Sequence, residues 1–317
     1  MGVERIILGS RGSDLALAQA GLVEEALRRV WPELEIKTRI IRTSGDEGVK
    51  TGVIADRKAG RKGMFTREIE RELRVGRIDV AVHSAKDLPS EPETDLKISA
   101  TLPRARTDDM LIAKNNFGLI SLPNGATIAT GSVRRRRQLS WRRPDLEIVD
   151  LRGNVPTRLR KLSENESWSG IVLARAGLER LGLVGPELQF PEQTGPAERP
   201  HYHLEVLPSW DFVPAGGQGI IALQVRGNDK HANGFLAAIN DEKTHLCLRA
   251  EREFLRLLNG DCDSPVGVRA EIEADRMTLR AHVFEGTTTA PRNGMATGPS
   301  DQPEVLAEEL MKQLYGG

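Results

Sequence analysis

Two cysteines in a chain of 317 residues, Cys247 and Cys262, are too few to staple a fold, which excludes a disulfide scaffold. No apolar run approaches the ~20 residues that cross a bilayer as a helix. The opening stretch "MGVERIILGS" lacks the apolar segment of a secretory signal, and Ile6 stands where the myristoylation pattern requires Ser or Thr. The predicted compartment is therefore a reducing cytoplasm. An excess of one charge is missing too: 45 basic residues balance 45 acidic ones. The surface as a whole then has no pull on polyanions, and any anion recognition must come from local clustering. Histidine is scarce at six residues, none spaced as a ligand set, so no metal is expected.

The chain is too long for one ordinary core, and its patterning predicts three units. Residues 1–90 read β-α-β-α-β, from the apolar strand "RIILGS" through the helix "SDLALAQAGLVEEALRRV" to the strand "IDVAVHS". A second α/β unit begins after "LPRARTDD". Residues 185–217, rich in Pro and Gly, read as a long connection, with "HYH" at 201–203 on the surface. "GIIALQV" reads as a buried strand. The last block reads as a small α+β unit with two strands, "VRAEIEA" and "MTLRAHVFE". The glycine-rich stretch 44–63 reads as a lid or binding loop.

The local clustering is plain in "GSVRRRRQLSWRR", residues 131–143, which holds six arginines and no acid. Successive helical side chains rotate by ~100°, so four consecutive arginines cannot face one ligand. Arg134 and Arg135 are expected at a cleft, and Arg136, Arg137, Arg142 and Arg143 in solvent. Ser132 sits near the helix N-cap, where backbone N–H groups favour anions. "LRGNVPTRLRKL" adds Arg152 and Arg158 around a second strand-to-helix turn, and "GSRGS" adds Arg11 and Ser13 at a third. Planar, forked donors at adjacent turns suit carboxylates. "VAVHSAKDLPSE" ends a buried strand with Lys86 and Asp87; a lone carboxylate among cations makes sense where a ligand also carries N–H groups or becomes cationic. Cys262 lies in the loop "NGDCDSPVG", whereas Cys247 reads as a core residue of an amphipathic helix.

Eight motifs in this order resemble the hydroxymethylbilane synthase, or porphobilinogen deaminase, family: "GSRGSDLALAQA", "KAGRKGMFTREIE", "DVAVHSAKDLPSE", "ATGSVRR", "LRGNVPTRL", "AGLERLGL", "PAGGQG" and "NGDCDSPVG". The resemblance implies an α/β fold class with two periplasmic-binding-protein-like domains and a small α+β C-terminal domain. The implied division is 1–104 with 216–238, then 105–215, then 239–317. It implies a dipyrromethane cofactor in thioether linkage to Cys262. The implied reaction joins four porphobilinogen molecules head to tail, with loss of ammonia, and releases the linear tetrapyrrole by hydrolysis. Arg11, Ser13, Lys86, Thr130, Ser132, Arg134, Arg135, Arg152 and Arg158 are implied to bind pyrrole carboxylates. Asp87 is the implied catalytic residue; Lys58, Lys62 and Phe65 belong to the lid and cofactor packing; Gly131, Gly153 and Gln218 supply further cleft backbone. A monomer that binds neither nucleic acid nor membrane is expected.

The sequence departs from the family at Gly131, where a second serine is usual, and at Asp261, where glycine is common. The lid and the 184–216 connection look longer than usual. Two other classes compete. A two-lobed anion-binding protein without catalysis needs neither Cys262 nor a third domain and normally carries an export signal. A nucleic-acid binder needs overall basic charge and interleaved aromatics, but Trp141 is the one aromatic in 131–143.

Overall fold

The structure, a computed structural model, describes residues 4–43, 66–91, 94–185, 187, 202–259, 264–286 and 290–316. Lys58, Lys62, Phe65 and Cys262, expected in the lid and at the cofactor, lie outside these residues, as do the departure Asp261 and most of the 184–201 connection. The chain first builds β1 (Arg5–Arg11), α1 (Asp14–Val30), β2 (Glu35–Ile41), α2 (Arg67–Arg74), β3 (Val80–Ser84) and β4 (Leu96–Thr101). It continues with β5 (Asp109–Lys114), β6 (Thr127–Ala129), α3 (Val133–Arg142), β7 (Glu147–Val149), α4 (Val155–Glu164), β8 (Trp168–Ala174), α5 (Arg175–Arg180) and β9 (Tyr202–Leu207). It closes with β10 (Ile221–Arg226), α6 (Lys230–Ala237), α7 (Glu242–Leu257), β11 (Val266–Glu273), β12 (Arg276–Val283), β13 (Arg292–Pro299) and α8 (Pro303–Tyr315).

Two five-stranded sheets share one topology. The first has order β2-β1-β3-β10-β4 and the second β7-β6-β8-β5-β9. In each, three parallel strands are followed by an antiparallel pair of partners, β10 and β4 in one, β5 and β9 in the other. The antiparallel fourth strand is borrowed: β5 follows β4 directly, and β10 returns to the first sheet after the second is complete. The chain thus crosses between the lobes twice, near 102–108 and 208–220. The mixed α/β class and its small C-terminal sheet, β11-β12-β13, agree with the sequence expectation.

Local chemistry explains the first lobe. Ile6 and Leu8 alternate on β1 and are fully buried. Ser13 caps α1 by accepting from Ala16 N at 3.4 Å, and Ala20, Val23 and Leu27 set the helix's apolar stripe against the sheet. Three strands escape the sequence pattern, β4 among them because it lies between the two predicted units. Tyr202–Leu207, expected as connection, is an edge strand paired with β5 and is followed directly by Pro208. The third C-terminal strand, Arg292–Pro299, is masked in sequence by its glycines. Cβ atoms at Gly294 and Gly298 would approach Leu310, Leu314 and Leu306 to 3.0–3.2 Å, so their absence lets α8 pack close.

One buried carboxylate joins both crossings to the third sheet. Glu251, on α7, is fully buried. It accepts from Arg104 at 2.6 and 3.2 Å, from Gly217 N at 2.6 Å and from Ala270 N at 2.7 Å. Arg104 lies on the first crossing, Gly217 on the second and Ala270 on β11. Nearby Cys247 is a core residue, as expected, with burial pushing its thiol up to about 12. The prediction is that Glu251→Gln destabilises the chain by about 3–5 kcal/mol in denaturant titration, since it strands a buried guanidinium and two N–H groups. Glu304→Gln, which breaks an exposed pair with Arg249, costs under about 1 kcal/mol.

Candidate active-site cleft

The site grows from strand ends. β3 is fully apolar up to His83, then leaves the sheet through a single 3-10 turn, Ala85–Asp87, which turns Lys86 and Asp87 out at the lobe's edge. Gln19 of α1 holds the preceding Ser84 at 2.8 Å. The "PAGGQG" loop lies directly on this turn. Gly217 has φ +74, and a Cβ there would sit 2.8 Å from the Ala85 carbonyl carbon and 2.9 Å from Lys86 N. Only glycine permits that backbone and that approach.

From the second lobe, β6 leads into Thr130, which is buried and accepts from Ser132 N at 3.3 Å. Ser132 caps α3, accepting from Arg135 N at 3.4 Å. A Cβ at Gly131 would lie 2.4 Å from the Leu151 carbonyl oxygen, so the serine usual in the family does not fit without a backbone shift. Asn154 caps α4, whose Arg158 reaches back to the Gly153 carbonyl at 2.7 Å. Lys86, Ser132 and Arg134 line one pocket together with Ser90, Arg252 and Ser264, so both lobes and the C-terminal unit contribute walls.

The arginine helix is arranged differently from the expectation. Arg134 and Arg135 do leave solvent, but the carboxylate they grip is the protein's own. Asp109, fully buried at the start of β5, accepts from Arg134 Nη2 and Arg135 Nη2, each at 2.7 Å, and from Gln218 Nε2 at 2.9 Å. The remaining terminal nitrogens go to Val213 O at 2.8 Å and Val172 O at 2.9 Å. Of the two, Arg134 lines the pocket and Arg135 does not. Arg136, Arg137, Arg142 and Arg143, expected in solvent, are engaged too. Arg136 donates to Ile148 O and Arg137 to Gly286 O. Arg142 pairs with Asp211 and stacks on Trp141, while Arg143 clamps the carbonyls of Leu119, Ile120 and Leu122. Trp141 meets His282 edge-on at 5.5 Å and joins the helix to the third sheet. Helical rotation separates the buried Arg134 and Arg135 from the more exposed arginines, but solvent does not take the latter: their partners are protein groups.

Charge in the cleft is uncompensated. Lys86, Arg134, Arg135 and Arg158 interact with one another and with Asp87, Asp109 and Asp150, four cations against three acids. Burial opposes ionisation of Asp109, yet Arg134 and Arg135 outweigh it and hold the carboxyl well below its ordinary range. Burial, reinforced by Arg135, pushes Arg158 down to about 10. Burial pushes Lys86 down to about 8, with Asp87 opposing and Arg135 adding to the fall. His83, one strand position from Ser84, is pushed by burial to about 4, and Arg11 adds to that fall. Arg152 sits exposed at the rim, 2.8 Å from Asp150, and Ser13 is spent partly on capping α1. Four groups that position the cleft carried no local signal in sequence: Asp109, Arg104, Glu251 and Arg180, whose Nη2 donates to Gly219 O at 2.7 Å.

A family model described as "Porphobilinogen deaminase, dipyromethane cofactor binding domain" matches residues 6–234, and one described as "Porphobilinogen deaminase, C-terminal domain" matches 245–316. A porphobilinogen deaminase of Roseiflexus sp. (strain RS-1) is 41% identical, covering 98% of this chain and 97% of that protein. One of Nitrobacter winogradskyi is 42% identical, covering 97% and 94%. One of Syntrophomonas wolfei is 39% identical, covering 97% and 94%. Among solved structures, the periplasmic aliphatic sulphonate binding protein SsuA from Escherichia coli is 14% identical over 81% of this chain and 71% of its own, at a TM-score of 0.40.

The lowered Lys86 value gives two opposite pH responses. Above about 8 the free cleft loses this cation, so affinity for a polycarboxylate falls as pH rises. Stability moves the other way. The folded value lies below the 10.5 of the unfolded chain, so the penalty for a charged Lys86 is full below about 8 and is relieved toward 10.5. Binding titrations should show the weakening, about tenfold at full deprotonation, and Lys86→Arg should flatten it.

Proposed function

This chain belongs to the porphobilinogen deaminase family, and we propose that the cleft between its lobes works the family's reaction through Asp87, with Lys86, Arg134, Arg158 and Arg11 holding pyrrole carboxylates. The activity is hydroxymethylbilane synthesis, a transferase reaction of porphyrin and haem biosynthesis: four porphobilinogen units condense head to tail with loss of ammonia, and the linear tetrapyrrole is released by hydrolysis. The observation that carries the residue assignment is the excess of cations over acids around Lys86. A half-buried positive charge without its own counter-ion is costly, and a ligand rich in carboxylates relieves it.

The dipyrromethane cofactor fits this donor set. Each pyrrole ring carries an acetate and a propionate. The cleft offers the guanidinium of Arg134, whose buried Nε has no hydrogen-bond partner among the described residues. When bound, the cofactor supplies the pyrrole carbon to which the first unit is joined. Cys262 is the proposed attachment point. It stands two residues, at most about 7 Å of chain, from Ser264, which lines the pocket. Lys58, Lys62 and Phe65 complete the proposed binding set from the lid.

Asp87 stands beside Lys86 and within the field of Arg158. As ammonia leaves the aminomethyl carbon of porphobilinogen, positive charge spreads into the pyrrole. The Asp87 carboxylate stabilises that charge and can take the proton of the ring nitrogen. Lys86 and Arg158 hold the acidic side arms on either side of it. Arg135 acts at one remove, through Asp109 and the field it adds at Lys86. The loop 214–219, with Gln218 anchored on Thr107 O at 2.7 Å, keeps the turn in place.

The proposed domain division is 1–104 with 216–238, 105–215 and 239–317; the two crossings and the three sheets support it. The chain is taken to work as a cytoplasmic monomer that binds no nucleic acid. Its balanced charge and the enlistment of every arginine of 134–137 by protein groups support that reading. Among the described residues no helix is long and apolar enough to cross a membrane. A two-lobed binding protein without catalysis is not favoured, because the relatives match over nearly the full chain, C-terminal unit included.

Asp87→Asn is the test of the assignment. It should keep fold and substrate affinity but lose turnover by about 10²-fold or more, read as tetrapyrrole formed per unit time. Near-normal turnover would remove Asp87 from the reaction.

A further inference from the structure

Arg252 is the one cation of the pocket contributed by the C-terminal unit. It follows Glu251 on α7, and Glu251 is clamped by Arg104, Gly217 N and Ala270 N. A rotation of ~100° per residue then turns Arg252 to a different side of the fixed helix. There it lines the same pocket as Lys86, Ser132, Arg134 and Ser264. Its guanidinium makes no hydrogen bond or ion pair among the described residues; the acid that attracts it, Glu70, does so from beyond pairing distance.

Arg252 differs in this from the other largely buried arginines among the described residues: Arg158 and Arg180 at least donate to backbone carbonyls. Arg104, Arg134, Arg135, Arg143 and Arg226 are similarly withdrawn from solvent, and each has a carboxylate within 3.2 Å. A forked donor held by a rigid helix and facing a pocket without a partner is an anion site awaiting its anion. Burial already disfavours its charged form, so a counter-ion in the pocket has that penalty to relieve.

Ser264, on the same pocket wall, stands two residues from Cys262. We propose that Arg252 is a carboxylate anchor for the cofactor ring nearest Cys262, so that the unit bearing the cysteine also holds the first ring's acidic side arm. This rests on the reading that Cys262 carries the dipyrromethane. The anchor divides the labour of the pocket: lobe residues Lys86 and Arg134 face the rest of the ligand, and Arg252 travels with the attachment point whenever the lobes shift.

The experiment compares full chains carrying Arg252→Gln, Arg252→Lys and Arg256→Gln with the parent, by intact mass and thermal denaturation. Arg256, on the same helix, is paired with Glu253 at 2.6 Å and serves as the surface control. Cys262→Ser, with and without Arg252→Gln, supplies chains that cannot carry the adduct. In the parent, loading of Cys262 raises Tm over the Cys262→Ser chain. Arg252→Gln should shrink that rise by about 3 °C or more and leave a larger unloaded fraction. Arg252→Lys should restore part of it, and Arg256→Gln should match the parent. Within the Cys262→Ser pair, Arg252→Gln should leave Tm unchanged or higher, because it removes an unpaired cation.

An undiminished rise in Arg252→Gln would overturn the proposal. So would an equal loss of Tm in the Cys262→Ser pair, which would make Arg252 a structural partner of Glu70 instead. A parent chain with no added mass on Cys262 would remove the underlying reading as well, and its own mass distinguishes that failure from the other two.

Discussion

Asp109 is the constraint on which the cleft depends. Two guanidinium groups, consecutive on α3, cannot enter a low-dielectric interior alone. One fully buried carboxylate at the start of β5 draws both inward, and Gln218 closes the group from the second crossing. The cost of three desolvated charges is offset only because the donors are forked, short and joined to further acceptors at Val213 and Val172. The group still carries one excess positive charge. Burial is the main force that lowers Lys86 and Arg158, and Arg135 adds to the fall at both, so the cleft favours an acidic ligand. Structure and ligand preference therefore come from the same three residues.

Glu251 plays the matching part behind the cleft. Its four hydrogen bonds bring the two crossings and β11 to one point. A hinge between lobes is normally the most deformable part of such a fold. Here a carboxylate pins it to the C-terminal unit, while the Gly217 backbone presses on the Lys86–Asp87 turn. The Lys86–Asp87 turn, the two crossings and the C-terminal sheet thus share one anchor.

Much of this was legible in the sequence, and the reasons are specific. Apolar alternation in "RIILGS" and "GIIALQV" located central strands because both faces of those strands are buried. Ser13 and Ser132 sit where capping chemistry put helix starts. The motifs around Lys86 and Ser132 pointed to side chains that the structure brings to one pocket, because strand-to-helix turns carry ligand groups in α/β sheets. What stayed hidden was tertiary pairing. Asp109 looked like one half of an ordinary "DD", yet it is the counter-ion of residues 25 and 26 positions later. Glu251 looked like one charge of many on an amphipathic helix. The edge strand Tyr202–Leu207 was lost in a proline-rich surrounding, and β13 was lost because glycines serve the packing of α8. Local pattern reports which face is apolar; it does not report which distant charge will be buried beside which.

The most direct measurement of the central claim is Asp109→Asn, followed by both denaturant stability and substrate affinity. Replacing the carboxylate by a neutral isostere leaves two buried guanidinium groups without their counter-ion. Stability should fall by about 3–5 kcal/mol, and KM for porphobilinogen should rise along with it as the wall that carries Ser132 and Arg134 loosens. A variant that matches the parent in both quantities would contradict the account, because the cleft would then be held and charged by something other than Asp109.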